Sequence, residues 1–299
     1  MRWLERIAHV PAKWRPVRRQ GHAPIDESRA CSDSEGTERA LASRPEPDVA
    51  AQMSAAYDAA AGGDHAAALA IWGPLAQAGV ARAQNNVGAC FAEGLGVARD
   101  AALAERWLTL SAQAGDPVGQ RNLAALYFKG EGVAQDFARA AELYRAAAEQ
   151  GDAPAQDMLS WMLLEGDSVP RDLAAARRWA LAAAEQGVAA AMTRMGMLHH
   201  NALGVERDAA EAARWWRRGA AGGDADGQAM LGAAHTLGAG VPRDPVAALA
   251  WLIRAQMGGS ALAAPFLAPA RAALDADGIA AAERRAAAPL SAAAMEPAA

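Results

Sequence analysis

Three histidines are the residues whose type and spacing come nearest to chemistry. His199 and His200 are adjacent, and His235 follows His199 by one full repeat of the pattern described below; an imidazole can ligate a metal or move a proton near neutral pH. A zinc site needs three or four ligands, and no third ligand is evident nearby, so these histidines are read as substitutes for aromatic core residues and no metal is expected. The cysteines, Cys31 and Cys90, belong to no CxxC pair and imply no disulfide framework. Glycine pairs such as Gly94-Leu95-Gly96 suggest a phosphate loop, but such loops need a preceding strand and either a third glycine or a Lys-Ser/Thr ending. Neither is present, and the pairs recur along the chain, which a single cofactor site would not require. GxSxG, HExxH and SxxK are absent. No catalytic, cofactor-binding or metal residue is assigned.

Those recurring glycines belong to a larger order. Residues 81–116, 117–152, 153–188, 189–224 and 225–260 align as five rows without insertion, and a fixed period of this length marks stacked helical units. The second half of each row begins with aspartate (Asp100, Asp136, Asp172, Asp208, Asp244), a residue that accepts hydrogen bonds from unpaired amides at a helix start. Asp208 with Glu211 spells a capping box, and Pro245 suits a first helical position. Alanine then recurs (Ala104, Ala140, Ala176, Ala212, Ala248), followed three residues later by Trp107, Leu143, Trp179, Trp215 and Trp251, with small residues such as Ala147 and Ala148 further on. This spacing makes one apolar stripe on a helix. Gly115, Gly151, Gly187, Gly223 and Gly259 close the rows, where a left-handed turn is expected. The first half carries its own stripe, Ala83, Val87, Gly88 and Phe91 in row one. The connectors read GLGVARD, GEGVAQD, GDSVPRD, ALGVERD and GAGVPRD, with a valine (Val97, Val133, Val169, Val205, Val241) as a plug beneath each loop.

The pattern A-Q-x-x-L-G-x-x-Y-x-x-G-x-G-V-x-x-D-x-x-x-A-x-x-W-x-x-A-A-x-x-G resembles the Sel-one-like repeat family, a relative of the tetratricopeptide repeat. The resemblance covers residues 81–260. It implies an all-α fold, a right-handed superhelical solenoid of antiparallel helix pairs, and a role as a protein-interaction scaffold. Departures from the pattern are Leu143 for tryptophan, Ser168 and Ala202 for loop glycines, and His199 and His235 in the aromatic column. Some secreted members clip each helix pair with a disulfide, a feature this chain lacks, so a cytoplasmic location is expected.

Five regions follow. Residues 1–47 are expected to be a disordered basic leader and linker, 48–80 an N-terminal capping pair sealed by Tyr57, Leu69 and Trp72, 81–260 the repeats, 261–288 C-terminal capping helices with Asp275 or Asp277 capping the last, and 289–299 a disordered tail. In the leader Trp3, Ile7, Val10 and Trp14 fall on one helical face among Arg2, Arg6, Lys13, Arg15, Arg18 and Arg19, a pattern suited to weak contact with an anionic membrane, although Pro11 and Pro16 interrupt it. The chain has 299 residues and a formal charge of −5. Since residues 1–47 hold nine Lys/Arg against seven Asp/Glu, the remainder is more acidic still, and nucleic acid is not an expected ligand.

What remains is a surface. The first helix of each row points a second set of columns away from its stripe, holding Arg82, Asn85, Asn86, Arg121, Asn122, Asp157, Trp161, Arg194 and Met197. Asn and Arg can hydrogen-bond an extended peptide or clamp a carboxylate, and an outward Trp or Met can anchor an apolar side chain. A protein or peptide ligand in a groove lined by the first helices is the expectation; the alternatives are a peripheral membrane regulator tethered by residues 1–19 and, third, a hydrolase.

Overall fold

The computed structural model describes residues 48–290. The leader and linker (1–47), Cys31 and residues 291–299 lie outside the described residues, as therefore do the membrane-contact expectation and most of the expected tail. Among the described residues every element is helical, and no helix is long and apolar enough to cross a membrane.

The five rows become five helix pairs: α3 (Ala81–Glu93) with α4 (Ala101–Gln113), α5 (Pro117–Lys129) with α6 (Phe137–Glu149), α7 (Ala153–Glu165) with α8 (Leu173–Glu185), α9 (Ala189–His200) with α10 (Ala209–Ala221), and α11 (Ala225–Leu237) with α12 (Pro245–Met257). They are preceded by α1 (Val49–Ala61) and α2 (His65–Gln77), and followed by a 3-10 turn (Ala261–Ala263), α13 (Ala264–Ala272) and α14 (Ala276–Ala287). The chain divides inside α6, between Leu143 and Tyr144, into two compact units. In the N-terminal unit α1 to α4 each pack on the helix that follows, and α3 also meets α5. In the C-terminal unit α7 to α12 do the same, α9 also meets α11, and α13 and α14 close on α12.

The helix boundaries follow from the expected residues. Asp100, Asp136, Asp172, Asp208 and Asp244 each accept the amide three residues on at 2.9 Å. Their own amides donate to the carbonyls of Phe91, Tyr127, Leu163, His199 and His235. The aromatic column of each first helix is thus tied through its backbone to the start of the second, a bond that survives replacement of the ring. Because the Asp208 amide is engaged there, the reciprocal half of the expected capping box does not form, and Glu211 instead accepts from Arg214 at 2.6 Å. The closing glycines adopt φ of 82–90°. Ala202 keeps the row-four connector by entering the left-handed region itself, at φ 56°.

The alanines of the expected stripe, Ala104, Ala140, Ala176, Ala212 and Ala248, are buried, but its bulky column lies one residue later than expected. The tryptophan column is mixed, with Trp107 and Trp179 half-buried and Trp215 and Trp251 buried, whereas the next residues, Leu108, Tyr144, Ala180, Trp216 and Leu252, are buried in every row. First helices meet this deeper column with small residues. A Cβ on Gly88 would stand 2.8 Å from Leu108 Cγ, one on Gly232 2.8 Å from Leu252 Cγ, and one on Gly196 would overlap the Trp216 indole. The Gln of the A-Q motif gains a role as well: Gln84, Gln156 and Gln228 donate to the carbonyls of Ala76, Ala148 and Ala220, each eight residues back on the preceding second helix. At the N-terminal cap Trp72 is buried and Leu69 packs against its cluster. Tyr57 is a correction: it meets Trp72 edge-on, with ring centroids 5.7 Å apart, yet remains exposed. Asp275 is the cap of α14, accepting from the Gly278 amide at 2.8 Å.

Candidate functional site

The candidate residues sit on first helices, and each unit builds its own arrangement from them. In the N-terminal unit the organising group is Asp116, the cap of α5. Its Oδ2 accepts from the Gly119 amide (2.9 Å) and the Ser111 hydroxyl (3.3 Å), and its Oδ1 from Nε (3.0 Å) and Nη2 (2.6 Å) of Arg82 on α3. Asp116 is buried, but the Arg82 side chain keeps 43% of its surface exposed. The guanidinium is held through Nε and Nη2 by Asp116, and Tyr57 acts on it as well. Alongside, Asn122 Nδ2 donates to Asn85 Oδ1 (2.8 Å), and Asn85 Nδ2 donates to Asn86 Oδ1 (3.0 Å). Asn85, expected to point outward, is instead buried, because its carboxamide bridges Asn86 and Asn122 and so cements α3 to α5. Arg121 is half-buried on the same helix as Asn122.

The C-terminal unit differs from the sequence expectation in two places. Trp161, expected to point outward, is only 6% exposed, because α7 is covered on most sides. Arg194 and Asp157 satisfy one another: Nη1 of Arg194 donates to the carboxylate of Asp157, and the two side chains are 12% and 16% exposed. Their bond joins α9 to α7. Thr193, beside Arg194, donates to Asp224 Oδ2 at 2.7 Å, and Ser260 donates to Asp226 Oδ1 at 2.5 Å. Burial pushes the Asp224 carboxyl above its ordinary value, against the opposing hydrogen bonds from Thr193 and the Gly227 amide. Met197 and Met158 stay half-buried on this face.

Sequence reasoning missed Asp116 and Asp224 as organising groups. The signal was present: a Gly-Asp pair ends rows one, two and four (Gly115-Asp116, Gly151-Asp152, Gly223-Asp224), and each aspartate caps the next first helix. The histidines form no metal cluster, since no group of three or more potential ligands occurs among the described residues. His235 Nδ1 lies 3.1 Å from the Pro242 carbonyl, and burial holds its imidazole below the ordinary value. Cys90 is buried, and its thiol is pushed up to about 12 by burial.

The Sel1 repeat pattern matches residues 81–116, 117–152, 153–188, 189–224 and 225–260, the intervals of the five helix pairs. Among solved structures, a Sel1 repeat protein from Oxalobacter formigenes is 28% identical, with a TM-score of 0.63, over 69% of this chain and 85% of that one. The protective antigen c5321 of uropathogenic Escherichia coli, which displays an SLR fold, is 25% identical over 83% of this chain and 68% of that one, with a TM-score of 0.36. The immunity protein Pa5087 from Pseudomonas aeruginosa is 17% identical over 76% and 88%, with a TM-score of 0.45. Among curated proteins none matches. With the same five boundaries given independently by the repeat match and by the helices, the chain belongs to the Sel1 repeat family.

Proposed function

We propose that the chain is a non-catalytic scaffold that holds a protein or peptide segment against the faces of its first helices. The observation that carries this reading is Arg82: its guanidinium is oriented by two bonds to the buried Asp116 and still exposes 43% of the side chain. A cation fixed before a ligand arrives loses little freedom on binding and keeps N–H groups to offer a carboxylate or a backbone carbonyl. Tyr57, exposed, acts on the same guanidinium. The carboxamides of Asn86 and Asn122, both tied to the buried Asn85, add polar groups suited to an extended backbone. In the C-terminal unit the corresponding face offers Met158 and Met197, soft apolar groups that adapt to a ligand side chain, while Trp161, Asp157 and Arg194 hold it in shape. Stacked helical repeats present such faces as extended binding surfaces.

The test is partner capture by the full chain. The double variant Arg82→Ala, Arg121→Ala is expected to weaken capture by about 2 kcal/mol or more, the scale of an interface hot spot, with helicity unchanged. Arg106→Ala, on the outward side of α4, is expected to leave it intact. Capture that survives the double variant and fails with Arg106→Ala contradicts the assignment.

A further inference from the structure

The second helices of the C-terminal unit carry charge of the opposite sign to the rest of the chain. α8, α10 and α12 bear Arg177, Arg178, Arg214, Arg217, Arg218 and Arg254 against Glu185 and Glu211 alone, in a protein of net charge −5. Two of these arginines are engaged. Arg214 donates to Glu211 on its own helix, and Arg254 donates to the carbonyls of Arg285 and Ala288, closing the end of α14. Arg177, Arg178, Arg217 and Arg218 have no carboxylate partner among the described residues.

Two of the four are held in place. The Arg178 guanidinium lies 5.1 Å from the ring centroid of Trp179, and that of Arg218 lies 4.3 Å from the ring centroid of Trp215. A guanidinium stacked on an indole is immobilised through its face while its in-plane N–H groups stay directed outward, the fork that a carboxylate meets with two parallel hydrogen bonds. Ala176, Ala180, Ala183 and Ala184 of α8 and Ala212, Ala213, Trp215, Trp216, Gly219 and Ala220 of α10 are buried, while Arg177 and Arg178 are exposed and Arg217 and Arg218 are half-buried beside the buried face.

We propose that the arginines of α8 and α10 dock an acidic protein segment, with carboxylates taken by Arg177, Arg178, Arg217 and Arg218. Charge complementarity selects the occupant. A nucleic acid strand gains its affinity from many phosphates and from base stacking on open aromatic faces, but Trp215 is buried beneath Arg218, and the rest of the chain is acidic. An anionic bilayer would bring a broad negative surface against the same acidic body. A short Asp/Glu-rich segment supplies the few carboxylates the four arginines require and nothing more. This surface lies on second helices and is separate from the first-helix faces proposed above.

The experiment uses the full chain and a fluorescein-labelled all-glutamate octapeptide, followed by anisotropy at low and at physiological salt. The pairs Arg177→Gln, Arg178→Gln and Arg217→Gln, Arg218→Gln are each expected to weaken binding about tenfold or more. Arg178→Lys, Arg218→Lys, which keeps the charge and loses the stacked fork, is expected to weaken it as well. Removal of two charges from connectors, Arg207→Gln, Arg243→Gln, is expected to leave it unchanged. Circular dichroism checks each variant, and should a pair lose helicity, the single variants Arg178→Gln and Arg218→Gln are read instead. The proposal is overturned if the octapeptide does not bind, if the connector variant weakens it as much as the stripe variants, or if an oligothymidine or anionic phosphatidylserine vesicles bind more tightly than the peptide.

Discussion

Gly196 on α9 faces Trp216 on α10 so closely that a Cβ on the glycine would overlap Cδ1 and Nε1 of the indole and stand 2.9 Å from the Ala212 carbonyl oxygen. The tryptophan is buried and the glycine accommodates it, so the two residues are one packing decision. Gly196→Ala is expected to destabilise the protein by about 1–3 kcal/mol, the usual scale of overpacking. Urea denaturation of the full chain measures it, and an unchanged midpoint would mean the helices separate freely at this crossing.

The same contact ranks the tryptophans. Trp216 is 2% exposed whereas Trp179, in the column the repeat pattern makes most conspicuous, is half-buried beneath Arg178. Trp216→Ala should therefore cost about 3–5 kcal/mol, in the range for a buried aromatic, and Trp179→Ala distinctly less. Equal losses in parallel denaturant titrations would put the core back in the tryptophan column.

At the start of α10 two nearby acids play different parts. Asp208→Ala removes the acceptor of the Glu211 amide and is expected to cost about 0.5–2 kcal/mol, as helix caps do. Glu211→Ala removes only an exposed pair with Arg214, and such pairs contribute about 0–1 kcal/mol. Thermal melts of the two variants should differ in that order; a larger loss for Glu211→Ala would show that the reciprocal capping bond operates in solution.

Asp224 sets a dependence on pH. Its folded pKa lies above the ordinary carboxylate value because burial disfavours the charge, so the folded state binds this proton more tightly than the unfolded state does. The corresponding stabilisation is complete below the unfolded value and is lost as pH rises through the folded one. Asp224→Asn retains an oxygen for the Gly227 amide and the Thr193 hydroxyl, and should flatten this part of the stability profile. Equal slopes for wild type and variant, from that ordinary value upward, would remove Asp224 as the source.

Much of this architecture was legible in the sequence because it is governed by local rules repeated five times. An aspartate caps a helix and a glycine ends it using only a few residues of chain, so Asp100 and Gly115 announce their roles within one row. The depth of the core was harder to read. Its deepest column holds Leu108, Tyr144, Ala180, Trp216 and Leu252, residues too unlike one another in size to stand out as a column, and the more uniform tryptophan beside them drew attention instead. The candidate site was least legible. Arg82 finds Asp116, Asn122 finds Asn85 and Arg194 finds Asp157 across 34 to 37 residues, and a reading of separate rows shows polar side chains without showing that they bond one another. Trp161 was misplaced for a related reason: its column holds Ala89 and Ala125 in earlier rows, small residues that do not reveal whether the position is covered.

The central claim, that a ligand segment lies on the first helices, is tested most directly by site-specific photo-crosslinking. A benzophenone side chain at position 86 or 121, in the N-terminal unit, or at 197, in the C-terminal unit, should give adducts with the captured polypeptide, identified by mass spectrometry. A probe at position 106 on α4 should give none. Adducts from position 106 with none from 86, 121 or 197 would contradict the claim.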